Sequence, residues 1–320
     1  MDFSLADFSH KRELAELWAE AFSDGEKFIS SFLDAYMIPE YNVPLVIEDG
    51  RIASALYLVD FELWSETKNL GDCAYLFAAA TKSEYQNRGF MSGLVKYASE
   101  LCAGRGQKGV FLFPQAQNKK LFKFYAKAGF EAIYGAKRVE RAFSGAKKDF
   151  AGFSLEHKDI ADTEVFDGLY DSYVYFTTRQ ELAPKKDRLF YFRCASSYLD
   201  VPENSKTQPH FAVFSQNAEI LCYVFYKKYK NILYIDDIVL SAEIKAKGKT
   251  LNETAEILAD FFVNSGNFGD KAELGMNVLP VAASDSKNVP LAMLLPLAGD
   301  VRDITDNLKY PVYINMFMNL

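Results

Sequence analysis

The sequence predicts an α/β protein of two successive units, each with a mixed central sheet flanked by helices. Three observations carry this. The apolar run Cys73–Thr81 passes through a glycine-containing turn into a helical stretch that ends near Gly104, as a buried strand feeding a helix does. Segments with strand and helix periodicity alternate on either side of it. After a linker candidate over Ser144–Gly152, with two glycines, charge and little periodicity, the same plan returns.

Phe3–Leu5 reads as a first strand. Ser9 is placed to cap a helix with the apolar stripe Leu14, Leu17, Trp18 and Ala21, which Gly25 breaks. Phe28, Ile29, Phe32, Leu33 and Tyr36 mark a second helix, ended by Pro39. Val43–Ile47 and Ile52–Leu63 form a hairpin around Glu48-Asp49-Gly50-Arg51. After the strand Cys73–Thr81 come the turn and the helix from Ser92. A strand follows at Val110–Phe113, then a helix at Lys119–Lys127 and strands over Phe130–Phe143. The turn is the most informative point. A strand that ends in a loop before a helix aims free N–H groups and the positive end of the helix dipole at one place, and Gly89 lets an anion approach the backbone there.

The second half echoes this order. Thr163–Phe176 is helical, and Phe211–Phe214 with Ile220–Tyr226 make a hairpin around Ser215–Ala218. Ile232–Leu240 echoes Ala74–Thr81, Lys245-Ala-Lys-Gly248 falls in register with Gln86-Asn-Arg-Gly89, and a helix follows over Leu251–Val263. Gly248-Lys249-Thr250 has the end of a phosphate-binding Walker loop. Glu243 stands where that motif needs its first glycine, so a duplication explains the segment better. Asp236 and Asp237 precede it, two carboxylates that would repel a bound pyrophosphate; a sheet edge or domain interface is the expected place for them.

With 320 residues, the chain is long enough for two domains, and its 27 Phe and 19 Tyr can build large cores and aromatic pockets. A net charge of −7 argues against a nucleic-acid partner and is in keeping with a cationic or amine substrate. Cys73, Cys102, Cys194 and Cys222 form no Cys-x-x-Cys pair and read as free buried thiols. His10, His157 and His210 are far apart and make no metal-ligand spacing, so no metal is expected. The acidic start lacks a signal-peptide pattern and no apolar run reaches membrane-spanning length, so a cytoplasmic protein without a membrane partner is expected.

The sequence Gln86-Asn-Arg88-Gly89 between strand and helix resembles the acetyl-CoA loop of the GCN5-related N-acetyltransferases (GNAT), Arg/Gln-x-x-Gly-x-Gly/Ala. Met91 departs at the last position, and Ser83 stands where the family often has proline. Asn118, Tyr125 and Gly129-Phe130 are similar to the family's fourth-helix signature. The resemblance covers Phe3–Phe143. It implies two tandem GNAT-like acyl-CoA N-acyltransferase domains, 1–145 with the acetyl-CoA site and 153–320 diverged, without a working cofactor site. The implied activity is acetyl transfer from acetyl-CoA to a primary amine of a small molecule or peptide.

The resemblance also assigns roles. Two central parallel strands part around the pantetheine arm, with Ala79 and Thr81 supplying backbone contacts and the Ala79 N–H available to a developing oxyanion. The N–H groups of Arg88, Gly89, Phe90 and Met91 cradle the pyrophosphate together with Gln86, and the Arg88 side chain is expected on phosphate. Tyr125 is the proton donor to the leaving thiolate. Asn118 caps its helix and is also placed to contact cofactor. The base is not readable: Glu26, Glu62, Glu66, Asp72 and Glu84 lie near acceptor segments, and each also reads as a solvated charge. Trp18, Phe22, Phe28 and Tyr36 read either as acceptor pocket or as core.

A GNAT domain followed by a degenerate copy resembles the Eis-like (enhanced intracellular survival) branch, whose members acetylate amines, aminoglycosides among them, form homo-oligomers and carry a further sterol-carrier-like domain. In that branch the terminal carboxylate reaches the active site. Here that role would fall to Leu320, at the end of the alternating apolar segment Pro311–Leu320; a plain final strand is the other reading. Two further functions compete with acetyl transfer: a non-catalytic acyl-CoA-binding or sensing protein, and a nucleotide-binding protein using Gly248-Lys249-Thr250.

Overall fold

The computed structural model of the chain describes residues 2–22, 24–115, 118–136, 139–142, 149–201, 205–230, 232–264, 271–274, 280–281 and 289–308. Two units emerge. The first draws on Met1–Leu63, Leu70–Ala132 and Ala292–Asn307; the second on Trp64–Asn69 and Ile133–Leu291.

In the first half of the chain the elements are β1 (Asp2–Leu5), α1 (Lys11–Ala21), α2 (Glu26–Tyr36), β2 (Pro44–Glu48), β3 (Arg51–Ser65), β4 (Lys68–Thr81), α3 (Phe90–Gly104), β5 (Gly109–Leu112), α4 (Lys119–Lys127), β6 (Glu131–Ala136) and β7 (Val139–Ala142). The second half has β8 (Phe153–His157), α5 (Thr163–Thr177), β9 (Ala183–Lys185), α6 (Arg188–Leu199), β10 (Gln208–Gln216), β11 (Glu219–Tyr229), β12 (Ile232–Leu240), α7 (Ala242–Ala246), α8 (Leu251–Asn264), β13 (Lys271–Leu274), β14 (Pro280–Val281), β15 (Val289–Pro296) and α9 (Gly299–Asp306).

In the first unit the strands run in the order β1-β2-β3-β4-β5-β15, part of a nine-stranded sheet. Asp49 and Gly50 both take left-handed φ (52° and 72°), the twist a two-residue hairpin turn requires between β2 and β3. β4 pairs parallel with β5, and β15 pairs antiparallel with β5 from Met293↔Leu112 to Pro296↔Gly109. Alternation along the strands divides the core. Leu56, Leu58, Ala74 and Leu76 pack against Phe90, Leu94, Val95, Ala98 and Cys102 of α3. On the other face, Trp18 of α1 lies 5.0 Å from Tyr57 and 5.4 Å from Phe77 between ring centres, and 5.0 Å from Phe32 of α2. Trp18 is 1% exposed, so helical spacing has built core here.

The second unit's sheet runs β8-β10-β11-β12-β13-β7. β8, β10, β11 and β12 pair antiparallel in turn, β12 and β13 pair parallel, and β13 and β7 antiparallel. A parallel pair flanked by an antiparallel strand also stands in the first sheet, so the expected repeat is visible in topology. The turn between β10 and β11 repeats the paired left-handed residues, here Asn217 (51°) and Ala218 (65°). Leu251, Ala255, Leu258, Ala259 and Phe262 of α8 cover Val224, Leu233 and Ile235.

The linear division expected at 1–145 and 153–320 is not the one the fold follows. β7 closes the second unit's sheet beside β13, and β15 pairs with β5 in the first unit's. An open β5 or β13 edge would leave backbone groups unpaired, and strands distant in sequence satisfy them. Asp236 and Asp237 do not lie on a sheet edge, since β12 is an interior strand. Asp236 takes the Lys227 ammonium at 2.8 Å and the Tyr198 hydroxyl at 2.8 Å. Asp237 is 2% exposed and accepts the Ile238 N–H. Lys186 is fully buried near it, 5.9 and 5.8 Å from the Tyr173 and Tyr191 ring centres. Burial lowers its pKa to about 8, with the neighbouring Cys194 and Asp237 acting in the opposite direction.

Candidate active site

β4 leads into the candidate site through a distortion of its own. Ala78 has φ 44°, a left-handed alanine inside a strand. Upstream of it, β4 and β5 pair at Ala74↔Val110 and Tyr75↔Phe111, with no further pair between them among the described residues. The two parallel strands therefore part before Ala79 and Thr81. Thr81 is fixed by a 2.8 Å hydrogen bond between its hydroxyl and that of Ser54.

The chain then makes a short turn over Ser83–Tyr85 and passes Asn87 (φ 61°) and Gly89 (φ 84°) into α3. Gly89 is the N-cap and offers no side chain. The first helical bond is from Gly93 N–H to the Gly89 carbonyl, and no acceptor for the N–H groups of residues 87–92 occurs among the described residues. Six donors in a row, two left-handed residues among them, form a backbone nest at the positive end of a helix 15 residues long. A Cβ on Gly89 would meet nothing within 4 Å, so this side of the loop is open. Gly93 differs: its Cβ would stand 2.6 Å from the ring of Phe3, and its hydrogen lets β1 pack on α3.

The nest opens into a cavity of about 540 Å³. Its strand side is Ala79 and Thr81; its loop side is Gln86, Asn87, Gly89, Phe90, Met91 and Ser92. α4 contributes Leu121, Phe124 and Tyr125. Tyr125 is 7% exposed, and its hydroxyl has no hydrogen-bond partner among the described residues. Burial pushes the phenol up to about 12, so it holds its proton throughout the neutral range.

The structure thus brings Ala79, Thr81, Gln86, Gly89, Phe90, Met91 and Tyr125 to one cavity. Arg88 and Asn118 do not line it. The Arg88 guanidinium lies over the rings of Tyr85 and Phe90 (5.3 and 5.2 Å) and pairs with Glu48 at 3.3 Å. Asn118 caps α4 by accepting the Leu121 N–H at 3.3 Å. Glu26, Glu62, Glu66, Asp72 and Glu84 are all outside the cavity lining. Leu320 and the segment Pro311–Leu320 lie outside the described residues. Asn87, Ser92, Leu121 and Phe124 were not read from the sequence. Two signals point to three of them: asparagine's tolerance of left-handed φ for Asn87, and the helical spacing that puts Leu121, Phe124 and Tyr125 on one face.

The second unit carries a copy of the loop in a different state. Gly248 has φ 82°, matching Gly89. At the start of α8, however, the Glu253 carboxylate accepts both the N–H and the hydroxyl of Thr250 at 2.8 Å, and Thr250 accepts the Glu253 N–H at 3.2 Å. This capping box supplies the helix start with its own anion.

Comparison with known proteins agrees with this geometry. Residues 4–133 match the family described as Acetyltransferase (GNAT) domain. No curated protein matches the chain. Among solved structures, a GCN5-related N-acetyltransferase from Anabaena variabilis superposes with a TM-score of 0.70 at 13% identity, over 93% of this chain and 73% of that one. Eis1 from Mycobacterium abscessus gives 0.61 at 13% identity, over 93% and 74%. A tandem GNAT protein of the clavulanic acid biosynthesis pathway gives 0.50 at 13% identity, over 93% and 98%. At such identities the superpositions speak for fold. Residues 4–133 thus match the GNAT acetyltransferase domain, and the chain has the α/β fold of tandem GNAT proteins.

Proposed function

We propose that the first unit transfers an acetyl group from acetyl-CoA to a primary amine of a small molecule or peptide. The observation that carries this is the uncapped start of α3, whose free N–H groups share a cavity with Tyr125. The donor set suits a pyrophosphate, and the parted strands β4 and β5 leave a slot beside Ala79 and Thr81 for an extended arm. Acetyl-CoA supplies the activated thioester. The amine nitrogen attacks the carbonyl carbon, the carbon–sulfur bond breaks, and the sulfur takes the proton of the Tyr125 hydroxyl. The phenolate recovers a proton released by the acylated amine through solvent.

The second unit works without a cofactor in this reading, because Glu253 already occupies the helix start. The four cysteines are all free and buried, which suits a reducing cytoplasm. No helix among the described residues is long and apolar enough to cross a membrane. The test is release of CoA thiol over a panel of amines, in the parent and in Tyr125→Phe. The variant keeps the ring and loses the proton, so kcat falls by roughly 10²-fold with little change in acetyl-CoA affinity. Equal turnover in the two proteins, or no acetyl-CoA binding by the parent, overturns the assignment.

A further inference from the structure

Two of the three histidines, far apart in sequence, meet in the second unit. His210 on β10 pairs across the ladder with Tyr226 on β11, and His157 ends β8 opposite Ala212, two residues along β10 from His210. All three side chains project on one face of the sheet. The His157 and His210 ring centres are 5.2 Å apart at an interplanar angle of 50°. His157 Nε2 lies 2.6 Å from the Tyr226 hydroxyl. Tyr226 is 2% exposed and packs on Phe262 of α8 at 5.0 Å. His157 is exposed and His210 half-buried. Neither ring nitrogen of His210 has a hydrogen-bond partner among the described residues.

We propose that His157 and His210 form a two-histidine site for a divalent transition cation, zinc above all, with Tyr226 orienting His157. The spacing suits it. With metal–nitrogen bonds of about 2 Å, two imidazoles on a tetrahedral ion stand with ring centres roughly 5 Å apart. The phenol sets the tautomer: with Nε2–H donating to the Tyr226 oxygen, His157 presents Nδ1 as the lone-pair donor. This is the usual arrangement of a ligating histidine, whose second ring nitrogen is held by an oxygen. Water reaches the exposed side and completes the coordination. Among the described residues no three His, Cys, Asp or Glu side chains gather, so the site depends on this pair. A bound ion would tie the end of β8 to β10.

The site is tested with zinc chloride alone by calorimetry and native mass spectrometry on the full chain, using the parent, His157→Asn, His210→Asn and His10→Asn. His10 serves as a control, since it sits in the first unit bound to Asp7. The buried thiols do not compete in the native state. The parent takes up one zinc, either second-unit substitution weakens uptake tenfold or more, and His10→Asn binds as the parent does. Copper binds tighter than zinc at the same pair. Circular dichroism checks that the variants remain folded. A parent with no uptake at millimolar zinc, or uptake unchanged in both second-unit variants, overturns the proposal. Neither result bears on acetyl transfer.

Discussion

Replacing Gly89 by glutamate tests the anion site most directly. Gly89 is exposed, sits at φ 84° and has nothing within 4 Å of the place where a Cβ would be. Two effects of the substitution can be separated. Any side chain at this φ costs about 1–2 kcal/mol of backbone strain, which lowers stability without addressing the ligand. The glutamate also sets a negative charge against a doubly charged pyrophosphate. At about 5 Å that repulsion is roughly 2 kcal/mol with the dielectric of water and roughly 7 kcal/mol at an effective value near 20, so CoA affinity falls more than tenfold. Gly89→Ala carries the strain without the charge. Calorimetric titration of CoA into the parent, Gly89→Ala and Gly89→Glu measures both effects, with thermal melts reporting stability. The two variants should melt alike, and only the glutamate should lose CoA, with the loss shrinking as salt is raised. Equal CoA dissociation constants for the two variants would refute the reasoning, because the charge would then face no anion.

Two further predictions concern packing and pH. Gly93→Ala forces a Cβ to within 2.6 Å of the Phe3 ring, so it should destabilise the first unit by about 1–3 kcal/mol in denaturant unfolding. The loss should shrink when Phe3→Leu is added, and additive losses would exclude the contact as the cause. Burial raises all four thiols, Cys102 and Cys194 to about 12. The unfolded chain therefore releases these protons above pH 9 while the folded chain keeps them. Stability present below that pH is lost as pH rises, at up to about 1.4 kcal/mol per pH unit for each thiol. Unfolding midpoints at pH 7, 8.5 and 10 check this; Cys102→Ala should flatten the slope, and an unchanged slope would contradict it.

The parts of the site that were legible in sequence are those set by local chemistry. A glycine after an apolar run, with a helix behind it, constrains the backbone whatever the rest of the chain does. Tyr125 stands at fixed helical distance from its cap Asn118, so its face follows from the period alone. The unread parts depend on pairings distant in sequence. Nothing near Val289–Pro296 says that it will lie beside β5, because its apolar run would suit any interior position. The destination of Arg88 was also hidden, since Glu48 comes from the β2 end, which only the folded sheet brings near. The histidine pair has the same origin: β8 and β10 are separated in sequence by two helices, and only their register unites His157 with His210.

The strongest argument for a working first site comes from within the same chain. α3 and α8 follow equivalent strands, and each is preceded by a left-handed glycine at nearly the same φ. A helix start leaves its first N–H groups without partners, and some acceptor must take them. At α8 the chain supplies one, the Thr250 hydroxyl, which accepts the Glu253 N–H while the Glu253 carboxylate accepts the Thr250 N–H. At α3 the chain supplies none: the N-cap is glycine and the following residues are Phe90, Met91 and Ser92, of which only the serine has a side-chain oxygen. Water can solvate these donors, but a cap worth about 1 kcal/mol has been left out at the point where a single serine or aspartate would provide it. On the proposed reading the missing cap leaves the α3 donors to an external anion, whereas the α8 start carries a capping box of its own.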